Sequence, residues 1–264
     1  MYDDLAAYFH ENVVPSYLEF VDSINDGSSG VSEHLRAAIN AATVLYHVRE
    51  HLPQAHQESR QEVANACPDY DLVADIVNVS KHSHLTRGNP QIAKAEDVQE
   101  LTILTKYIDE AGEYFGTEHA VVANLVDGSS RNVGEILASV INYWDSQFHS
   151  LGVINNRTSF TYNRPAHPLT REEVEGQKND LKMIQGVRFK QTMLLQEYNY
   201  ETGLVSPIDL TGSQIEFNIY KPPKHILAIN LRHNETGNII SREVELTHDE
   251  YMKFEAIQSD EEKQ

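Results

Sequence analysis

The chain has 264 residues, 40 acidic against 21 basic, a formal net charge of −19, 40% hydrophobic residues and 8% aromatic ones. That composition suits one large or two small globular domains and argues against wholesale disorder. The single cysteine, Cys67, excludes an internal disulfide framework and a cysteine-based zinc site, and no run of about 18 apolar residues marks a membrane span.

Charge is uneven along the chain. Residues 1–150 hold 23 acids and 8 bases, a balance of −15, whereas residues 151–264 hold 17 acids and 13 bases, a balance of −4. An acidic field repels phosphate backbones and anionic membranes, so general nucleic-acid binding is disfavoured and a protein partner is expected. The acidic opening MYDDLAAYFHENVV has no basic segment of the signal-peptide kind. A soluble, reducing, cytoplasmic setting is the corresponding expectation.

The first 84 residues read as helices. Leu5, Tyr8 and Phe9 recur at helical spacing, as do Tyr17, Leu18, Phe20 and Val21, with Pro15 as a break or kink between them. The turn cluster 25–30 closes this unit. Leu35, Ile39, Ala42, Leu45, Val48 and Leu52 form one apolar stripe, predicting a helix over 32–52 that Pro53 stops. Shorter helices are expected over 54–66 and 69–84, the latter with Leu72, Ile76 and Val79 on its apolar side.

After a loop over 85–98 the period changes. Residues 101–108 and 120–126 are rich in β-branched and aromatic side chains and read as the two strands of a hairpin, joined by a loop at 110–116. A helix over 131–149 follows, with Trp144 on its apolar face. Residues 152–170 read as a linker, and Thr170 with Glu173 fits a capping box. Beyond 186 the chain reads as β: strands over 187–198, 215–220, 225–231 and 239–246, then a helix capped at Thr247 and reaching about 258. The expected fold is therefore α+β: a mainly helical domain over 1–151 with a hairpin at about 101–126, then an antiparallel β domain over 170–258 with flanking helices.

Thirteen histidines make the chain histidine-rich, and imidazole is the commonest metal ligand and general base. His47-Val48-Arg49-Glu50-His51 matches H-x-x-E-H. On a helix this spacing puts two imidazoles one turn apart, with Glu50 placed to act as base on a metal-bound water. In those three positions the segment resembles the inverzincin metallopeptidase motif, which implies zinc and a further carboxylate ligand, here Glu58, Glu62, Glu96 or Glu100. Arg49 and His56 have a second spacing, Arg-x6-His, in a helical setting. It resembles the signature of HEPN-type ribonucleases, helical bundles whose histidine and arginine act on an RNA phosphodiester. That resemblance implies catalytic roles for Arg49 and His56.

Asn78-Val79-Ser80-Lys81-His82-Ser83-His84, continuing to Arg87, is the densest polar constellation. Asn78 and Lys81 are candidate binding residues, and His82, His84 and Arg87 candidate acid–base or phosphate-holding groups. If helices 32–52 and 69–84 run parallel, their C-terminal ends bring His47 and His51 toward His82 and His84. No glycine-rich phosphate loop and no nucleophile elbow occurs. The leading expectation is a non-catalytic binding or regulatory protein, with a HEPN-like ribonuclease and a metal-dependent hydrolase as alternatives.

Overall fold

The computed structural model describes residues 4–29, 32–86, 88–177, 180–181, 192–220, 225–247 and 250–253. The fold is α+β. Its helical part begins with α1 (Leu5–Tyr8), a π-turn (Phe9–Val13) and α2 (Val14–Asn25), followed by the two-residue β1 (Ser28–Ser29). Then come α3 (Glu33–His47), 3-10 turns at Val48–His51 and Gln54–His56, α4 (Arg60–Ala66) and α5 (Asp69–His82). Strands β2 (Val98–Asp109), β3 (Gly112–Asn124) and β4 (Ser130–Asn132) lead into α6 (Val133–Ser150). The remainder holds α7 (Arg171–Glu175), β5 (Asp180–Leu181), β6 (Thr192–Asn199), β7 (Leu204–Pro207), β8 (Ser213–Tyr220), β9 (His225–His233) and β10 (Ile239–Leu246).

Two compact units divide the chain. One comprises 1–25, 32–101 and 120–164; the other comprises 26–31, 102–119 and 165–264. In the first, α2, α3, α5 and α6 bury Phe9, Tyr17, Phe20, Leu45, Ile76, Trp144 and Phe148 in one apolar core. Burial of such side chains at about 25 cal/mol per Å² is the main force holding helices whose own propensity is modest. In the second, β8, β9 and β10 form an antiparallel sheet in that neighbour order, and Leu104, Leu195 and Leu231 pack together. The larger sheet has the order β4-β3-β2-β6-β7.

Local chemistry accounts for where the elements depart from the sequence reading. Pro15 does not break the first helix. It has no N–H for the Glu11 carbonyl and its ring crowds that carbonyl, so the preceding turn widens. The Val14 N–H then bonds back five residues to the Phe9 carbonyl. The expected 110–116 loop shrinks to Glu110–Ala111, because Gly112 takes a φ of +116° and lets the ladder start at once. Helix α6 starts after β4, where the Asn132 side chain accepts the Gly134 N–H at 2.8 Å. Gly134 itself is needed: a Cβ there would lie 2.4 Å from the Tyr162 ring. The capping box at Thr170 and Glu173 forms as its spacing predicts. The 187–191 part of one expected strand and the 254–258 end of the last helix lie outside the described residues. Among the described residues no helix is long and apolar enough to cross a membrane.

Candidate functional site

The H-x-x-E-H segment sits where α3 gives way to a 3-10 turn. With about 3.0 residues per turn instead of 3.6, side chains four apart no longer share a face. His47 Nδ1 lies 2.9 Å from Glu50 Oε2, and Arg49 Nη2 donates to Glu50 Oε1 at 3.2 Å. His51 turns elsewhere and stacks on Tyr8, with ring centroids 3.8 Å apart. The structure thus brings His47, Arg49 and Glu50 together, while the His51 ring is taken up by Tyr8. Among the described residues no group of three or more His, Cys, Asp or Glu side chains is arranged to hold a metal ion.

Arg49 is also occupied on its other face, its guanidinium carbon lying 5.4 Å from the centroid of the Tyr46 ring. His56 is exposed on the 3-10 turn beyond Pro53, where its N–H bonds the Pro53 carbonyl at 2.7 Å. It borders a cavity of about 260 Å³ that Glu58, Trp144 and Gln147 also line. Lys81 and His82 are exposed in the last turn of α5, Asn78 is half-buried, and His84 forms an isolated β-bridge with Lys94. Arg87 lies outside the described residues.

The expected parallel pairing of the two helices is overturned. Tyr46, near the end of α3, stacks on Tyr70, at the start of α5, with centroids 5.7 Å apart; the Tyr70 hydroxyl donates to the Tyr46 carbonyl at 2.6 Å. The helices therefore run antiparallel. The 21 residues between them, 48–68, fold into two 3-10 turns and α4 and return the chain to the end of α3 rather than to its start. His47 and His51 stand at one end of the pair. His82 stands at the other, about 18 Å along α5 from Tyr70 at 1.5 Å per residue. No shared imidazole site arises.

The sequence reading missed two features. The first is a groove of about 350 Å³ in the helical unit. Val14, Leu18 and Val21 of α2 form one wall, and the extended segment 158–161 forms the other. Side chains of α6 hold that segment in place. Asn142 behaves like a neighbouring strand, accepting the Phe160 N–H at 3.0 Å and donating to the Phe160 carbonyl at 2.7 Å. Asp145, 1% exposed, accepts the Thr158 N–H at 3.1 Å and bonds Arg157 at 3.3 Å. Tyr17 lines the groove, and among the described residues its buried hydroxyl has no hydrogen-bond partner. Burial, reinforced by Tyr162, pushes that phenol up to about 12, so it stays protonated. The widened turn at Phe9–Val13 places His10 at the same groove.

The second feature belongs to the other unit. Tyr107, fully buried, meets His167 Nδ1 through its hydroxyl at 2.5 Å, and His167 Nε2 lies 3.2 Å from Glu118 Oε1. Gln196 donates to Thr105 at 2.9 Å beside them. These partners come from β2, β3, β6 and the 165–170 segment, so no local motif could announce them. Their links tie that segment to the hairpin, and Tyr114 adds a hydrogen bond to the Leu169 carbonyl at 2.8 Å.

Comparison with protein-family models, with curated proteins and with solved structures finds no match, so the reading of these sites rests on their own chemistry.

Proposed function

We propose that this is a non-catalytic binding protein whose helical unit holds apolar side chains of a protein partner in the groove between α2 and residues 158–161. One observation carries the reading: an open groove of about 350 Å³, with an apolar stripe on one wall and a second wall fixed from beneath by Asn142 and the buried Asp145. Pre-formed concave sites of this size, mostly apolar with few polar groups, are the usual form of a binding site. Leu18 remains 46% exposed there, a large apolar side chain with no cover. Glu11, Glu19 and Asp22 are exposed on the same helical segment, so the matching partner is a basic, amphipathic one.

Binding is favoured over a ribonuclease-like reaction because Arg49 is engaged by Glu50 and Tyr46 rather than offered to a phosphate. It is favoured over metal-dependent hydrolysis because His51 is stacked on Tyr8. In the same reading, the helical elements form a bundle interrupted in sequence by the β2–β3 hairpin.

The test is calorimetric titration with an amphipathic helical peptide of leucine and lysine, beside its leucine and glutamate counterpart. The lysine peptide is expected to bind one to one and the glutamate peptide not at all. Ser159→Trp, an exposed change that fills the groove without altering charge, is expected to weaken binding at least tenfold. Undiminished binding to Ser159→Trp refutes the groove, since general attraction to an acidic surface would then suffice.

A further inference from the structure

We infer that the cavity of about 260 Å³ between the 52–58 loop and the end of α6 is a site for a small organic monocation, independent of the groove at α2. Leu52 and Leu151 supply apolar surface, His56 and Gln147 polar edges, and Trp144 closes the inner end. Among the described residues Glu58 is the one carboxylate lining it. Its side chain is half-buried, and its Oε2 accepts the Tyr143 hydroxyl at 3.0 Å.

That donor is neutral. Tyr143 is held protonated by burial and by the neighbouring carboxylate, which push its phenol well above the usual range. No lysine, arginine or histidine among the described residues pairs with Glu58, and Oε1 takes no hydrogen bond from them. Arg60, two residues along, is engaged instead by Asp71 at 2.9 Å and Asp75 at 3.1 Å.

A half-buried carboxylate compensated by one phenol selects for charge. An anion would meet repulsion from Glu58 and from a chain carrying −19. A neutral guest would desolvate the carboxylate without replacing its lost hydration. An ammonium head supplies three donors and the missing charge, while a short apolar body covers Leu52 and Leu151. The size of the cavity limits the guest to a small amine.

The experiment compares phenethylammonium with its isosteres 2-phenylethanol and phenylacetate, by calorimetry and by the fluorescence of Trp144, the sole tryptophan. Phenethylammonium is expected to bind one to one, at least tenfold tighter than the alcohol, and phenylacetate not to bind. Glu58→Gln keeps an acceptor for Tyr143 and is expected to abolish the preference for the cation. Leu151→Phe, at a half-exposed position, is expected to weaken binding by filling the cavity while leaving the carboxylate intact. The inference falls if cation and alcohol bind alike, if the preference survives Glu58→Gln, or if neither heat nor fluorescence responds in the wild type.

Discussion

Replacing Asn142 by leucine removes three hydrogen bonds, two of them to Phe160, with almost no change in side-chain size, and so tests what holds the 158–161 wall. In the wild type the amide side chain serves both backbone groups of Phe160, at 2.7 and 3.0 Å, and also donates to the Ala138 carbonyl at 2.7 Å. Phe160 is 8% exposed, so its N–H and C=O cannot turn to water without opening the segment. A buried polar backbone group left without a partner costs about 1–3 kcal/mol. Two such groups, partly relieved by local opening and by the added apolar contact of leucine, give an expected loss of about 2–4 kcal/mol. Urea unfolding followed by Trp144 fluorescence measures this loss within the helical unit, since Trp144 lies in the same core. Amide exchange at Phe160 is expected to accelerate beyond the change in global stability, because the wall opens before the core does. A loss below about 0.5 kcal/mol with unchanged exchange at Phe160 would refute the claim that α6 fixes the wall through this side chain.

Two further outcomes follow from buried side chains. Tyr17 and Tyr107 both have folded-state values near 12 through burial, above the unfolded value of about 10. The folded chain therefore holds these protons more tightly; their contribution is intact below pH 10 and is lost as pH rises through 12, about 2–3 kcal/mol each. Absorbance at 295 nm with far-UV circular dichroism is expected to show a late tyrosinate step coincident with unfolding, and complete titration at pH 11 with the fold intact would contradict it. Gly134→Ala places a methyl group against the Tyr162 ring, 2.4 Å away before relaxation, and is expected to cost about 1–3 kcal/mol in urea unfolding. A neutral effect would mean that the ring moves aside without loss.

The elements were legible wherever one apolar period ran for several turns. The stripes of α3, α5 and α6 carry Leu45, Ile76 and Trp144 into one core, as their spacing predicts. The change of period after residue 98 marks the start of β structure, because β-branched and aromatic side chains suit a pleated surface. Ends were less legible. Whether a helix tightens at Val48–His51, or widens at Phe9–Val13, depends on backbone bonds that a pattern of side chains does not encode. Ser59 with Glu62 forms a capping box that restarts the chain as α4.

The pairing of α3 with α5 decided the fate of the candidate histidines. Spacing alone can place residues on one face of one helix, but it cannot say which ends of two helices meet. The connection over 48–68 returns to the end of α3, so α5 runs back along α3 and the two imidazole pairs separate to opposite ends. The sites that remain depend on partners distant in sequence: Asn142 with Phe160, Asp145 with Thr158, Glu58 with Tyr143, and Tyr107 with His167. In each, a common polar residue gains its role from burial beside a backbone group or a ring supplied elsewhere in the chain. A histidine count therefore pointed to the exposed ends of helices, where imidazoles are easily solvated, while the cavities formed where a few amides and carboxylates were needed to satisfy irregular backbone against an apolar core.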